Sequence, residues 1–454
     1  MDQLVSDKKD IYALTDLGNA ERFVDQHGTC VQYCYEWGKW LVWDGRKWVI
    51  GAEAELTKLA HTVIRGIYSE GAKIKDLEQR RATGKHALSS EARSRVENML
   101  LSAKPYLLVR PEELDKNPML LNVANGVIDL STGLLLPHDT KYLITKMIEV
   151  DYDPEAGCPE WEKFLGLVTG GDKKLQYFLQ LAVGYTLTGL TDEHCLFVLY
   201  GTGANGKTTF SETIRLLFGE YAKRVNIESL LQSWGSGQAA TPSIAAMAGA
   251  RFVLSSEIPE YRKLNESLVK DLTGGDAITA RSLYANPFTF RPTHKIWIFG
   301  NYKPQVSGTD EGIWRRIRVV PFTVTIPKEK RRRMSDVLAE FQNEMPGILT
   351  WAVKGSLLWQ ANGLPAVDAV QSATAEYRNE QDLVRQFLEE KCEMCADSSV
   401  DKGEFYKAWR VWCEAGGETE AAKRSQKWLT HQMTDRGFRQ GGGQNRTLCG
   451  IKLK

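Results

Sequence analysis

CLFVLYGTGANGKTTF, residues 195–210, joins an apolar run to a glycine-rich turn and then to a helical pattern. The apolar run (195–200) reads as a buried strand. Gly201, four residues and Gly206-Lys207-Thr208 follow, giving the spacing G-x-x-x-x-G-K-[ST] between a strand and a helix. Glycines let the backbone curl so that its N–H groups converge on phosphate oxygens, and the helix N-terminus adds a positive dipole. Gly201, Gly203, Ala204, Asn205, Gly206, Lys207, Thr208 and Thr209 are therefore the candidate nucleotide-binding residues. Lys207 would reach the β- and γ-phosphates of ATP, and the Thr208 hydroxyl would coordinate Mg²⁺. Such a loop implies a nucleoside triphosphate without saying what work its hydrolysis drives.

The segments downstream supply partners for that loop. RFVLSSE (251–257) is an apolar strand ending in a carboxylate. Glu257 there would orient or deprotonate the attacking water and stand beside Mg²⁺, with Ser255 or Ser256 helping to hold a metal-bound water. KIWIFG (295–300) is a third strand and runs into Asn301, whose amide suits a sensor of the γ-phosphate. GIWRRIR (312–318) carries Arg316, expected to act as a finger on a neighbour's nucleotide, with Arg315 as the alternative and Arg318 in a solvated basic patch.

Around this core, 454 residues suggest roughly three domains. With 43% hydrophobic and 25% charged residues the chain can bury several cores, and a net charge of +1 excludes a uniformly basic nucleic-acid coat protein. No apolar run approaches the roughly 20 residues needed to span a bilayer, and the N-terminus has no secretory pattern, so the cytoplasm of a host cell is expected and no membrane partner. Cys30/Cys34 and Cys392/Cys395 are too far apart in sequence to suggest one zinc site and read as reduced thiols. Residues 1–36 read as helical. Trp37, Trp40, Trp43 and Trp48 flank the Asp44-Gly45 turn and read as the core of a small sheet, in preference to a base-stacking platform. Residues 52–103 read as helices and 118–150 as β-like. Asp151-Tyr152-Asp153 reads as a linker and not as a metal pair.

GTGANGKTT, RFVLSSE, VKDLTGGDAITAR (269–281), WIFGN and GIWRRIRVVPF occur in an order that resembles superfamily 3 helicases, specifically the phage/plasmid primase–helicase family that includes the poxvirus primase-helicase. NPMLLNVANGVIDLSTG (117–133), VDYDPEAGCPEWEKFL (150–165), GILTWAVKG (347–355) and ATAEYRNEQD (373–382) extend the resemblance over nearly all of the chain. It implies an α/β fold with an AAA+-type P-loop core, assembled as a homo-hexamer or other ring with ATP between subunits. In that frame Lys207 and Thr208 serve phosphate and Mg²⁺, Glu257 is the catalytic acid, Asn301 the sensor, and Arg316 or Arg315 the finger. TARSLYANPFTF (279–290) would be the hairpin entering the ring channel, where Arg281 and Tyr284 grip a DNA strand. Relatives with a Lys-His pair at the tip differ from this chain, which has Leu283-Tyr284. The segment before Asn117 holds no convincing catalytic metal pair, so helicase activity without primer synthesis is expected, with any primase a separate protein.

The expected division is a mostly helical N-terminal family-specific domain over 1–155, the superfamily 3 core over 156–335, a helical extension over 336–382 and a winged-helix-like C-terminal domain over 383–454. The last reads as helices at 383–394, 403–415 and 425–436 followed by a glycine-rich hairpin. Arg424, Lys427 and Arg446, with Arg439, would contact DNA phosphates, duplex DNA being the expected partner here. The net charge hides segregation: residues 315–333 and 423–454 each carry +7, and the remainder −13. The expected activity is an ATP-dependent DNA helicase in the replication of a phage, plasmid or other mobile element. Two other readings are an ATP-gated initiator or remodelling ATPase that does not unwind, and a small-molecule P-loop kinase.

Overall fold

The computed structural model describes residues 12–232, 242–256, 262–282, 286–306 and 311–454. The chain opens with α1 (Asp16–His27), an antiparallel sheet of β1 (Val31–Cys34), β2 (Lys39–Trp43) and β3 (Trp48–Ile50), and then α2 (Glu53–Lys73), α3 (Leu77–Ser90) and α4 (Arg93–Ala103). The expected helix over 1–36 is thus confined, among described residues, to α1. Its first turn is capped by Thr15, whose hydroxyl accepts from Gly18 N at 3.1 Å. The Asp44 carboxylate turns the chain between β2 and β3 by accepting from the backbone of Arg46 and Lys47. Trp40 and Trp48 are buried, whereas Trp37 is 41% exposed at the β1–β2 turn. Leu56, Ala60, Val63, Ile64 and Ile67 recur at helical spacing and bury one stripe of α2 against this sheet and its neighbouring helices.

A second antiparallel sheet follows, β4 (Leu120–Val123), β5 (Gly126–Asp129) and β6 (Leu134–Leu136). Next come α5 (Pro159–Val168) and α6 (Lys173–Leu187). The central part runs β7 (Leu196–Tyr200), α7 (Lys207–Phe218), β8 (Ala222–Asn226), α8 (Pro242–Ala245), β9 (Phe252–Ser256), α9 (Glu266–Thr273), β10 (Ile278–Ala280), β11 (Phe288–Phe290), β12 (Lys295–Gly300), α10 (Glu311–Trp314) and β13 (Ile317–Pro321). The molecule is mixed α/β, built on one five-stranded parallel sheet in the order β13-β7-β12-β9-β8. Its three inner strands, β7, β12 and β9, are largely apolar because both faces are covered, whereas the edge strand β8 (AKRVN) is mostly exposed. On one face Phe197, Leu199, Trp297 and Phe299 join a cluster that extends from Leu121 to Val370. On the other, Leu196, Val198, Ile296 and Ile298 join a cluster with Val269 and Tyr377. At the start of β9 and β12, buried Arg251 and Lys295 donate to the carbonyls of Leu187 and Thr188, where α6 ends. Cations there satisfy helix C-terminal carbonyls that lack intrahelical partners.

Beyond the sheet lie α11 (Met334–Asn343), α12 (Met345–Asn362), α13 (Asp368–Gln381) and α14 (Leu383–Lys391). Then follow β14 (Cys392–Asp401), α15 (Lys402–Ala415), α16 (Thr419–Ala422), α17 (Gln426–Asp435), β15 (Arg439–Gly441) and β16 (Thr447–Leu453). The helix expected over 383–394 stops at Lys391, and Cys392 and Cys395 lie on β14, which pairs with β16. All eight cysteines are free. Among the described residues no helix is long and apolar enough to cross a membrane.

Candidate active site

Three features meet at the C-terminal ends of the parallel strands, where ligands of open α/β sheets bind. The 201–206 loop leaves β7, Asn301 leaves β12, and β9 ends at Ser256. Because β12 lies between β7 and β9, Asn301 stands between the loop and the end of β9. Gly203 (φ +110°), Ala204 (φ +48°) and Gly206 (φ +83°) give the loop a left-handed course. A side chain on Gly201 would collide with the Phe322 carbonyl and the Asn205 amide, so only glycine fits there.

Lys207 is the buried cation of the site, 4% exposed at the first turn of α7. Its ammonium donates to Gly201 O at 2.6 Å, Asn205 Oδ1 at 3.0 Å and Asn301 Oδ1 at 3.3 Å. Asn205 is fixed in turn by donating to Phe322 O at 2.7 Å. All three acceptors are neutral, and burial pulls the lysine down to about 8. A desolvated ammonium held by dipoles, with no carboxylate partner among the described residues, is arranged for an anion. Thr208 is exposed beside it at the helix start, and Thr209 is half-buried.

A cleft of about 800 Å³ opens over residues 203–209 and Asn301. Its far wall was not legible as part of the site in the sequence. It comprises Phe164 of α5, Phe341 and Met334 of α11, and Lys330 and Arg331. Phe164 packs behind Gly206. The one signal in the sequence was the basic run 328–333 shortly after β13, which otherwise reads as low complexity.

The other expected site residues fall as follows. Glu257 and Tyr284 lie outside the described residues, as does Leu283. Ser255 is fully buried and donates to Val225 O at 3.2 Å, which turns it away from the cleft, while Ser256 accepts from Arg224 at 3.1 Å. Arg316 is half-buried and donates within its own chain to Thr273 Oγ1 (3.2 Å) and Gly312 O (2.6 Å). Arg315 is exposed and makes no side-chain hydrogen bond among the described residues. Arg281 is exposed just after β10, which pairs with β11 in an antiparallel hairpin. Arg424, Lys427 and Arg446 are exposed around α17 and the β15–β16 connection. Arg424 lies 5.5 Å from the Trp428 ring, and Arg446 donates to Gln444 at 2.9 Å.

Comparison with known proteins gives two family matches. Residues 20–170 match "D5 N terminal like", and residues 199–316, which carry the loop, Asn301, Arg315 and Arg316, match a family of unknown function (DUF5906). The chain is 28% identical over 346 residues to "Putative helicase L207/L206" of Acanthamoeba polyphaga mimivirus, covering 70% of this chain and 36% of that protein. It is 26% identical over 329 residues to "Putative primase C962R" of African swine fever virus (isolate Tick/Malawi/Lil 20-1/1983), covering 66% and 34%. These matches fit the resemblance to the primase–helicase-like family read from the sequence. It spans about a third of the length of these primase–helicase-like relatives. A solved structure, the A-form apo NrS-1 C-terminal region (305–718), superposes with a TM-score of 0.50 at 11% identity, covering 92% of this chain and 86% of that one, and so shares its fold.

Proposed function

We propose that this chain is the ATP-driven motor of a DNA helicase that acts in the replication of a virus, plasmid or other mobile element. The observation that carries the reading is Lys207: a buried ammonium whose partners among the described residues are all neutral, at the mouth of a glycine loop and a cleft. In this reading the 201–209 segment is a P-loop in an AAA+-type core. Its N–H groups and Lys207 hold the triphosphate, and exchange of Asn301 from Lys207 to phosphate reports the nucleotide. Thr208, exposed at the helix start, would hold Mg²⁺, which supplies neutralisation of phosphate charge. Glu257, next after β9, orients the attacking water. Arg315, exposed in this conformation, is the better placed finger for a neighbouring subunit in a ring, and Arg316 needs first to leave Thr273 and Gly312.

Arg281, just after β10, and Tyr284 would grip a single strand in the same reading. The C-terminal order of helix, strand, helices and two strands suits a winged helix. In it α17 and the β15–β16 connection meet duplex phosphates through Arg424, Lys427 and Arg446. The division at 155, 335 and 382 belongs to the same proposal, as does a separate primase.

ATP turnover measured alone, with single-stranded DNA, and with small-molecule phosphate acceptors tests this reading. DNA-stimulated release of inorganic phosphate is expected. Turnover that requires an acceptor would establish a kinase instead.

A further inference from the structure

Lys303 lies two residues beyond Asn301, and its side chain is only 9% exposed. Its ammonium is 2.6 Å from Glu380 Oε2, 4.4 Å from the centre of the Tyr200 ring and 5.2 Å from that of Tyr377. Tyr200 is the last residue of β7, immediately before the loop, whereas Tyr377 and Glu380 belong to α13. One buried cation therefore touches the strand that feeds the loop, the segment that follows Asn301, and a helix outside the sheet. Two further bonds run parallel to it. The Tyr377 hydroxyl donates to Pro304 O, and Val306 N donates to Gln381 Oε1 at 3.1 Å. Tyr377 also meets Trp314 edge-on at 5.2 Å, and Trp314 directly precedes Arg315. From Gln381 the chain passes to Asp382, which Arg436, just after α17, grips with two bonds at 2.7 and 2.8 Å.

We propose that Lys303 is a positioning residue that couples the nucleotide loop to α13, and through α13 to the arginine-bearing 315–316 segment and the C-terminal domain. The inference rests on the nucleotide reading of the loop. A nucleotide that draws Asn301 and Lys207 onto its phosphates shifts the backbone leading to Lys303. The contacts with Glu380, Tyr377 and Gln381 pass that shift to a helix lying along the edge strand β13, where Thr374 accepts from Val319 N at 3.1 Å. Packed side chains and hydrogen bonds in contact are one route by which coupling between sites is carried, and coupling along this one is what the proposal asserts.

Two measurements on the full chain test this: equilibrium dialysis of ATP analogue, and amide hydrogen exchange over 368–391 with and without that analogue. In the wild type, bound nucleotide is expected to slow exchange across α13. Glu380→Gln and Lys303→Met are expected to bind nucleotide about as well as the wild type, to lose that protection, and to lose about tenfold of any DNA stimulation of ATP turnover. Lys303→Arg is expected to restore both. Nucleotide that binds the wild type without changing exchange in α13 overturns the coupling and leaves the nucleotide reading intact. So does protection that survives in Glu380→Gln. A loss of nucleotide binding in Glu380→Gln equal to the loss of stimulation reduces Lys303 to a structural prop of the loop. No nucleotide binding by the wild type overturns the site reading and the coupling with it.

Discussion

Among single residues Lys207 is the centre of the candidate site. Removing its charge with Lys207→Ala is expected to lower ATP turnover by about 10²–10³-fold, the usual cost of a lost phosphate-stabilising donor. Measured rates with and without DNA check this. Burial holds the lysine near 8 in the free protein, below its ordinary value of 10.5. A bound polyphosphate favours the charged form and raises it again. Between pH 8 and 10.5, binding is therefore coupled to proton uptake, and affinity falls as pH rises through this window. Calorimetry in buffers of different ionisation enthalpy is expected to show an uptake approaching one proton at about pH 9; no uptake there would mean that the ammonium stays out of contact with phosphate. Arg315→Ala is expected to reduce turnover by about 10³–10⁵-fold. In the proposed ring the finger would act in trans, so mixing Arg315→Ala with Lys207→Ala protein is expected to restore part of the activity, from sites that combine an intact loop with an intact finger. Activity that does not return on mixing places Arg315 in its own subunit's chemistry.

Among the elements, α5 does more than its sequence suggests. Trp161 is fully buried and stacks on Phe210, in the first turn of α7, with ring centres 5.6 Å apart. Its edges meet Phe341 and Trp351 from α11 and α12. Trp161→Ala is expected to cost about 3–5 kcal/mol, read from denaturant unfolding, and to weaken nucleotide binding because α7 loses its backing. The three inner strands of the central sheet were legible because continuous apolar runs bounded by Gly, Asn or Ser mark strands buried on both faces, whereas the edge strands β8 and β13 carry Lys223, Arg224 and Arg318 and lack that mark. The glycine loop was legible because its backbone demands are local. The contacts of α5 were not, since Trp161 meets partners that the fold, not the sequence neighbourhood, brings together. Likewise β14 reads as a continuation of α14. Its strand identity comes from pairing with Thr447–Leu453 at the far end of the chain, and local apolar spacing carries no trace of that.

For the whole molecule, the +1 net charge is a cancellation between two segments of +7 and a scaffold of −13. The structure puts part of the first segment, Lys330 and Arg331, on the wall of the cleft over the 201–209 loop, and in the proposed reading its charge suits phosphate of the nucleotide as well as of DNA. The second segment keeps Arg424, Lys427 and Arg446 exposed. Lys427→Ala combined with Arg446→Ala is expected to weaken DNA binding at all sequences and to reduce the salt slope by about two, one per phosphate contact, in titrations at several salt concentrations. An unchanged slope would place the DNA elsewhere. Strand displacement on forked DNA, with 3′ and 5′ tails compared, tests whether nucleotide at the 201–209 loop drives strand separation. ATP-dependent displacement by the wild type on one tail polarity and none by Lys207→Ala is expected; DNA-stimulated hydrolysis with no displacement on either fork would show a motor that does not unwind.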